Sequence, residues 1–332
     1  MISTSVTEVT QVAEARRRAL AVAQASGFDE TAAGRVALVA TELATNLVKH
    51  AQGGELLTGA FEDATGAGVE IVSVDKGPGM ADLQASLKDG HSTAGSAGTG
   101  LGAVWRLADA VDVVSQAGIG TAVLARLTPR RGSPSPPGSG APWGAITVPY
   151  PGEEVCGDGY CVRSHATSRT LLVVDGLGHG RAAAEAANEA VRLFRAHEHE
   201  APAAIVEALH AGLRATRGAA VAVARQEFDA GRVLFCGIGN IAAVVLGGND
   251  KHRMVSHNGT AGLTARKIAT FEYPLRPSSL LVMHSDGLAS SWALESYPGL
   301  AAAHPTLVAA VLYRDFTRRR DDVTVLVSRA DP

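Results

Sequence analysis

The sequence predicts two unrelated α+β domains joined by a proline-rich linker. A chain of 332 residues is long for a single core and suits two of ordinary size. The stretch Pro129-Arg-Arg-Gly-Ser-Pro-Ser-Pro-Pro-Gly-Ser-Gly-Ala-Pro142 packs into no regular element and reads as a semi-extended spacer. The motifs on its two sides differ and no internal repeat is visible, so the chain reads as a fusion. The expected domains are residues 1–128 and 145–332, with the linker over 129–144.

In the first half, Val6 to Ala25 reads as an amphipathic helix. Phe28 to Ala51 reads as a second, with Val36, Val39, Leu43 and Leu47 along its buried stripe. Strands are expected over Glu55–Phe61 and Val69–Val74, and a helix over Gly100–Ala108. Val111–Ser115 and Thr121–Leu127 flank Ala117-Gly-Ile-Gly120, a hairpin signal. Helices first and an antiparallel sheet later fit a two-layer sandwich.

The second half is strand-rich at both ends. Arg169–Val174, Ala219–Ala224, Arg232–Cys236, Ala242–Leu246, Leu280–His284 and Val323–Val327 read as strands, and Ala182–Arg195 and Pro202–Ala215 as helices. Several of these strands abut an aspartate.

Composition narrows the function classes. An apolar fraction of 46% with 19% charged residues is that of a soluble protein. A net charge of -3 gives no case for nucleic acid or an anionic membrane. No apolar run approaches the ~18 residues of a bilayer span, and the N-terminal residues lack the pattern of a secretion signal. Cys156, Cys161 and Cys236 show no zinc spacing and read as reduced thiols. A cytoplasmic protein is expected.

Three features of the first half suit a nucleotide. Glu42 and Asn46 are four apart on a helix and share one face. An Asn oxygen can hold Mg²⁺ and a Glu can accept a proton from an attacking hydroxyl, although such a pair also fits a solvated face. Asp75 ends an apolar strand and is followed by Gly77 and Gly79. A fixed Asp can accept from an exocyclic amine such as that of adenine, and an ordinary turn would carry the same residues. Gly98, Gly100 and Gly102 lead into a helix whose N-terminus favours phosphate.

In this order and spacing, the three resemble the Bergerat-type ATPase fold of histidine kinases, gyrase-type ATPases and anti-sigma-factor serine kinases. Thr41-Glu-Leu-Ala-Thr-Asn-Leu-Val-Lys-His-Ala51, Leu87-Lys-Asp-Gly-His-Ser-Thr93 and Gly100-Leu-Gly-Ala-Val-Trp-Arg-Leu-Ala-Asp109 are most similar to the RsbT-like switch kinases. The resemblance covers about residues 6 to 127. It implies that Asn46 binds Mg²⁺, Glu42 is the general base and Asp75 reads adenine. Gly77 and Gly79 would line the base pocket, and Gly98, Thr99, Gly100, Leu101 and Gly102 would wrap the phosphates of ATP. The Thr121 hydroxyl would support the adenine end. No phospho-accepting histidine helix lies upstream, which disfavours a sensor kinase. His50 reads as a core or surface residue.

In the second half Asp158, Asp175, Asp286 and Asp321 each border a glycine or a strand end. One Asp-Gly is usually a turn, but four point to two hard cations sharing carboxylates. Val173-Val-Asp-Gly-Leu-Gly-His-Gly180, Phe235-Cys-Gly-Ile-Gly-Asn-Ile241 and His284-Ser-Asp-Gly-Leu288 resemble the SpoIIE/RsbX branch of the PPM metal-dependent serine/threonine phosphatases. That resemblance spans about 145 to 330 and implies a β-sandwich flanked by helices. Asp175 would bridge two Mn²⁺ or Mg²⁺ ions, with the Gly176 carbonyl on one. Asp286 and Asp321 would serve the other metal, and Asp158 would complete the cluster. Phosphoserine hydrolysis would proceed in one step without a covalent enzyme intermediate. Gly159 after Asp158, and Cys156 where relatives often have glycine, depart from the family pattern at the Asp158 corner. Asp322 would sit behind Asp321. His179 reads as a structural group or one behind the ligands, and His197-Glu-His-Glu200 as solvated, while Arg318-Arg-Arg320 reads either as a solvated basic turn or as a patch that attracts a phosphoprotein.

Together the resemblances imply a bifunctional kinase and phosphatase of a bacterial partner-switching pathway. Its substrates would be STAS-domain antagonists or stressosome-type proteins, and a homodimer would be in keeping with other Bergerat kinases. Two other readings stay open: a phosphatase whose first domain senses ATP or a partner without transferring phosphate, and a non-catalytic scaffold. The presence of Glu42 argues against the first and the intact aspartate set against the second.

Overall fold

The computed structural model describes residues 1–63, 66–80, 100–130, 141–248 and 250–331. They form two compact units, Met1–Ala141 with Ala293–Arg314, and Pro142–Trp292 with Asp315–Pro332. Residues Ala293–Arg314 thus follow most of the second half in sequence but group with the first unit. Most of the expected linker, from 131 to 140, lies outside the described residues.

The first unit opens with β1 (Ile2–Val6), where the sequence reading has no strand and begins its helix at Val6. Ile2-Ser-Thr-Ser-Val6 carries little apolar helical face, and pairing with β2 (Gly54–Asp63) gives its backbone groups partners, Ile2 opposite Thr58. Helix α1 (Val9–Ala25) starts after Glu8, which forms a reciprocal capping box with Gln11. Helix α2 (Glu30–His50) is capped by Asp29, whose Oδ1 accepts the Ala32 N–H at 2.8 Å. Its stripe of Val36, Val39, Leu43 and Leu47 is at most 2% exposed, as the spacing predicts.

Strands β3 (Gly66–Val74), β4 (Ala110–Gln116) and β5 (Gly120–Leu127) complete an antiparallel sheet of order β1-β2-β3-β5-β4. Helix α3 (Gly100–Leu107) joins α1 and α2 on one face, over Leu56, Val69, Ile71, Val123 and Ala125. This is the expected two-layer sandwich.

The opposite face of the sheet is also buried, through Leu57, Val72, Leu124 and a charged centre. There Arg126 Nη1 meets Asp63 Oδ2 at 2.7 Å and Nη2 meets Glu70 Oε2 at 3.0 Å, with the guanidinium 4.4 Å over the Phe61 ring. Burial pushes the Glu70 carboxyl up even with Arg126 beside it. The late segment reaches this face, with Thr306 Oγ1 at 3.5 Å from Arg126 Nη2 and the His304 N–H donating to Asp112 Oδ2 at 2.8 Å.

The second unit is a sandwich of two five-stranded sheets. It runs through β6 (Trp143–Val148), β7 (Asp158–Ser164), β8 (Ser168–Gly176), α4 (Arg181–His197), α5 (Pro202–Gly212), β9 (Ala219–Glu227) and β10 (Arg232–Ile238). β11 (Ala242–Gly247), β12 (Asp250–Arg253), the short pair β13 (Gly259–Thr260) and β14 (Thr264–Ala265), β15 (Phe271–Pro274), β16 (Leu280–His284) and β17 (Val323–Arg329) follow. The helix Pro305–Phe316 is α6 in chain order.

The sheet orders are β15-β10-β9-β8-β7 and β12-β11-β16-β17-β6. Leu171, Val173, Ala222 and Phe235 from the first meet Val245, Leu281, Met283 and Leu326 from the second in one core. The alternate residues Leu172, Val174, Val221 and Val223 pack under α4 and α5 with Phe194, Ile205 and Leu209. Strand alternation thus fills two cores from one sheet. Cys161 and Cys236 are buried and Cys156 is half-buried, all free. Among the described residues no helix is long and apolar enough to cross a membrane.

Removing one member of a buried ion cluster leaves the others uncompensated, at a cost of about 3–5 kcal/mol. Arg126→Ala is therefore expected to cut the hydrogen-exchange protection of the β3 and β5 amides by that order. Unchanged protection would show that the cluster does not hold the sheet.

Candidate functional site

Each unit gathers its own set of sequence-predicted residues. In the first, α2 carries Glu42 and Asn46 one turn apart, both half-buried beside the buried Leu43 and Leu47. The first residue of α3 lies against Asn46: a Cβ on Gly100 would stand 3.0 Å from Asn46 Oδ1. Leu101 and Gly102 follow in the same turn, half-buried. Gly98 and Thr99, and the stretch Leu87–Thr93, lie outside the described residues.

In the same unit, Asp75 follows β3 and is fixed by three backbone bonds. Its Oδ1 accepts the Gly77 N–H at 2.9 Å and the Thr121 N–H at 3.2 Å, and its own N–H donates to Thr121 O at 3.0 Å. Among the described residues Oδ2 accepts no hydrogen bond, so it can serve a ligand amine. Burial raises the Asp75 carboxyl against those two N–H groups and the Arg314 charge. Gly79 sits in the left-handed region at φ +67°, where a side chain is disfavoured. Thr121 Oγ1 pairs with Ser115 Oγ at 2.9 Å, and Ser115 Oγ accepts the Met80 N–H at 2.8 Å. Ser115 was not singled out from the sequence; its place three residues before the hairpin Gly118 gave no chemical signal.

In the second unit, strand ends from both sheets bring the aspartates together. Asp158 opens β7 and Asp175 lies near the end of β8, and the two are register partners. Asp286 follows β16 and Asp321 precedes β17. Burial, then the charge of Asp175, holds the Asp158 carboxyl well above its ordinary range, although Ser285 Oγ donates to its Oδ2 at 2.6 Å. Burial, then the charges of Asp286, Asp321 and Asp322, raise Asp175 to about 7. Asp286 is raised by burial and by Asp321, with Arg318 opposing, and its Oδ2 accepts from Asn240 Nδ2 at 2.7 Å.

Asp322 is only 2% exposed; its Oδ1 accepts the Tyr150 N–H at 2.8 Å while its Oδ2 is buried without a partner among the described residues. A Cβ on Gly157 would stand 2.6 Å from that oxygen, so the residue before Asp158 has to be small. Asp321 Oδ1 accepts the Asp322 N–H at 2.9 Å. Gly176 is buried and its N–H donates to Gly157 O at 3.0 Å, tying the two aspartate-bearing turns together.

An unpaired buried carboxylate oxygen and mutually raised aspartates fit divalent cations, and an all-oxygen donor set suits hard ions such as Mg²⁺ or Mn²⁺. Asp158, Asp175, Asp286, Asp321 and the Gly176 carbonyl could hold them. Ser285, which bonds Asp158 and accepts the Thr324 N–H at 2.9 Å, is a support that the motif flanks contain but residue type alone does not reveal.

The other residues considered from the sequence lie elsewhere. His179 Nδ1 pairs with Glu153 Oε1 at 2.8 Å and stacks on Tyr150 at 4.5 Å. His50 and Arg318-Arg-Arg320 are exposed. His165, Glu198 and His199 have ligand atoms within 4.8 Å of one another, but Arg163 already holds Glu198 Oε2 at 2.6 Å. That guanidinium neutralises the one carboxylate a cation would need.

Comparison with known proteins agrees with this division. Residues 6–127 match the histidine kinase-like ATPase domain, and residues 167–331 match the stage II sporulation protein E family. The serine/threonine-protein kinase RsbT of Bacillus subtilis (strain 168) is 34% identical over 114 residues, covering 34% of this chain and 86% of the kinase. The phosphoserine phosphatase RsbX of the same organism is 22% identical over 138 residues, covering 41% of this chain and 69% of the phosphatase. A solved structure from work on the bacterial stressosome as a modular system adapted to control secondary messenger signalling is 27% identical. It covers 56% of this chain and 98% of its own, with a TM-score of 0.53.

The fold and sites thus define a histidine kinase-like ATPase domain followed by a second domain with the β-sandwich fold of a phosphatase. The chain belongs to the histidine kinase-like ATPase family through its RsbT-like first half, and its second half matches the stage II sporulation protein E family and is similar to RsbX.

The raised aspartates carry a pH signature. Their folded forms bind protons more tightly than the unfolded chain does, so their contribution is full below the unfolded value near 4 and is lost as pH rises through about 7. The metal-free protein should therefore lose stability between pH 5 and 8. Added Mn²⁺ requires the ionised carboxylates and should raise the melting temperature more at pH 8 than at pH 5.5. A thermal shift that is equal at both pH values would contradict this account.

Proposed function

We propose that this chain is a bifunctional serine/threonine kinase and phosphatase that acts on STAS-domain antagonists of a bacterial partner-switching pathway, in the cytoplasm. The observation that carries the reading is that each unit gathers its own, chemically different set of candidate phosphate-handling residues. One combines a base and an amide on α2 with a backbone-fixed carboxylate; the other is a cluster of buried, mutually raised aspartates. The substrate class is supported by the likeness to RsbT and RsbX and by the stressosome structure.

In the first unit, Asp75 Oδ2 would accept the adenine amine while Oδ1 stays bonded to Gly77 and Thr121. Gly77 and Gly79 would line the base, with the Thr121 hydroxyl behind it. Asn46 Oδ1 would hold Mg²⁺, and Gly98, Thr99, Gly100, Leu101 and Gly102 would enclose the phosphates. Glu42 would take the proton from the substrate hydroxyl as it attacks the γ-phosphorus, and ADP would leave with the electrons of the broken P–O bond.

In the second unit, Asp175 would bridge two Mn²⁺ or Mg²⁺ ions, with Asp158, the Gly176 carbonyl, Asp286 and Asp321 completing their ligands. When bound, the ions supply an acidified water and neutralise phosphoryl charge. Ser285 keeps Asp158 aimed through its 2.6 Å bond and Asn240 keeps Asp286 aimed through its 2.7 Å bond.

The test is the intact mass of a STAS-domain partner incubated with the full chain, ATP, Mg²⁺ and Mn²⁺. Asp175→Ala should let a phosphate-sized mass gain accumulate, Glu42→Ala should lower transfer by about 10²–10⁴-fold as expected for loss of a general base, and the wild type should remove phosphate from a pre-loaded partner. Nucleotide binding without any mass gain in Asp175→Ala would leave a phosphatase with an ATP-sensing first domain.

A further inference from the structure

In the second unit Arg217 lies just before β9, at the end of the sheet where Asp158 and Asp175 lie. Asp175 and Gly176 are register partners of Ala220 and Ala219 at the start of β9, and Asp158 is the register partner of Asp175. The backbone around Arg217 is fixed on both sides. Thr216 Oγ1 donates to Leu213 O at 2.7 Å and accepts the Gly218 N–H at 3.0 Å. Gly218 stands at φ +81°, its carbonyl accepts the Leu177 N–H at 3.0 Å, and Ala219 exchanges two backbone hydrogen bonds with Ala261.

The side chain has no such ties. Arg217 is exposed, and among the described residues its guanidinium makes no hydrogen bond or ion pair. Arg163, Arg192 and Arg232 of the same unit each hold a glutamate. The Arg217 guanidinium lies across Gly178, where a Cβ would stand 3.4 Å from Nη1. The Gly178 carbonyl oxygen lies 3.3 Å from where a Gly157 Cβ would stand, and that same point is 2.6 Å from Asp322 Oδ2. A single glycine thus separates the guanidinium from the turn that carries Asp158.

Charge gives this placement a use. Asp158, Asp175, Asp286, Asp321 and Asp322 lie close enough to raise one another's carboxyls. Two divalent cations would offset four of those five charges and leave the centre negative, while a phosphomonoester brings about two more negative charges at pH 7. Positive charge from the chain itself is needed to attract such a substrate. Arg318 supplies some beside Asp286, whose carboxyl it draws down. Arg217 supplies more on the β8 side, and its planar fork suits two phosphate oxygens at once.

We propose that Arg217 is a substrate-binding residue of the metal-dependent centre, pairing through its guanidinium with the non-bridging phosphate oxygens of a phosphoseryl or phosphothreonyl side chain. The inference rests on the phosphatase reading made above. Arg217 takes no proton and forms no bond to phosphorus; it holds the phosphate and orients it.

The experiment uses the full chain loaded with Mn²⁺, with inorganic phosphate as the binding probe and p-nitrophenyl phosphate as the turnover probe. Calorimetry reads the phosphate dissociation constant, and initial rates read KM and kcat separately. Arg217→Ala should weaken phosphate binding by about tenfold, as for loss of a hydrogen bond between charged groups, and raise KM more than it lowers kcat. Arg217→Lys should recover part of the affinity, since it keeps the charge and loses the fork. Arg214→Ala is the control. Arg214 is exposed on the neighbouring turn Leu213–Ala215, so its loss changes net charge equally without touching the proposed contact. Its phosphate affinity should stay within about twofold of wild type, as expected for a screened surface charge.

Phosphate affinity equal in Arg217→Ala and wild type overturns the assignment and leaves the phosphatase reading standing. An equal loss in Arg214→Ala and Arg217→Ala also overturns it, because the effect is then one of net charge. A wild type that neither binds Mn²⁺ nor hydrolyses p-nitrophenyl phosphate overturns the phosphatase reading, and the inference with it.

Discussion

The second unit depends on forcing like charges together. Asp158 and Asp175 come from paired strands of one sheet, Asp286 and Asp321 from the ends of neighbouring strands in the other. Packing Leu171, Val173 and Phe235 against Leu281, Met283 and Leu326 closes the sandwich and brings those ends into one place. The hydrophobic contribution is about 25 cal/mol per Å² of apolar surface removed from water. It works against a carboxylate penalty on the order of a few kcal/mol per strongly raised group. The sandwich core therefore holds a cluster of like charges that is electrostatically unfavourable in itself. Asp322 Oδ2, buried with no partner among the described residues, is the plainest mark of that cost.

The first unit solves the opposite problem. Its Asp75 carboxylate is fixed by N–H groups on one oxygen and, among the described residues, accepts no hydrogen bond on the other, an arrangement suited to a neutral amine more than to a cation. Where charge is concentrated, at Arg126, Asp63 and Glu70, it is paired internally on the far face of the sheet. One acid held by N–H groups and several acids that raise one another are physically different environments, and the two halves also match different families.

Much of this was legible in the sequence because it is local. The stripe Val36, Val39, Leu43 and Leu47 announces α2, and Asp175-Gly176 after a β-branched run announces a carboxylate at a strand end. The reading failed where local pattern is silent. Ile2–Val6 is too short and polar to signal a strand without its partner Thr58. Pro305-Thr-Leu-Val-Ala-Ala-Val-Leu-Tyr313 is apolar on all sides, which says that it is buried and says nothing of Glu55, Arg126 or Asp75 as neighbours. Ser285 and Ser115 carry hydroxyls whose use is decided by residues far away in sequence, Asp158 and Thr121. Gly98 and Thr99 fall outside the described residues, so their part in the phosphate loop rests on sequence.

Two opposed phosphate chemistries on one chain consume ATP to no effect if both run on the same partner at once, so a useful fusion needs a link that favours one at a time. A tether of proline, glycine and serine raises the local concentration of one domain near the other but fixes no orientation. Within the first unit, α6 is buried along Leu307–Tyr313 and held by polar bonds at His304 and Thr306 on one side and at Tyr313 and Arg314 on the other. Displacing it would expose apolar surface and leave polar groups unpaired.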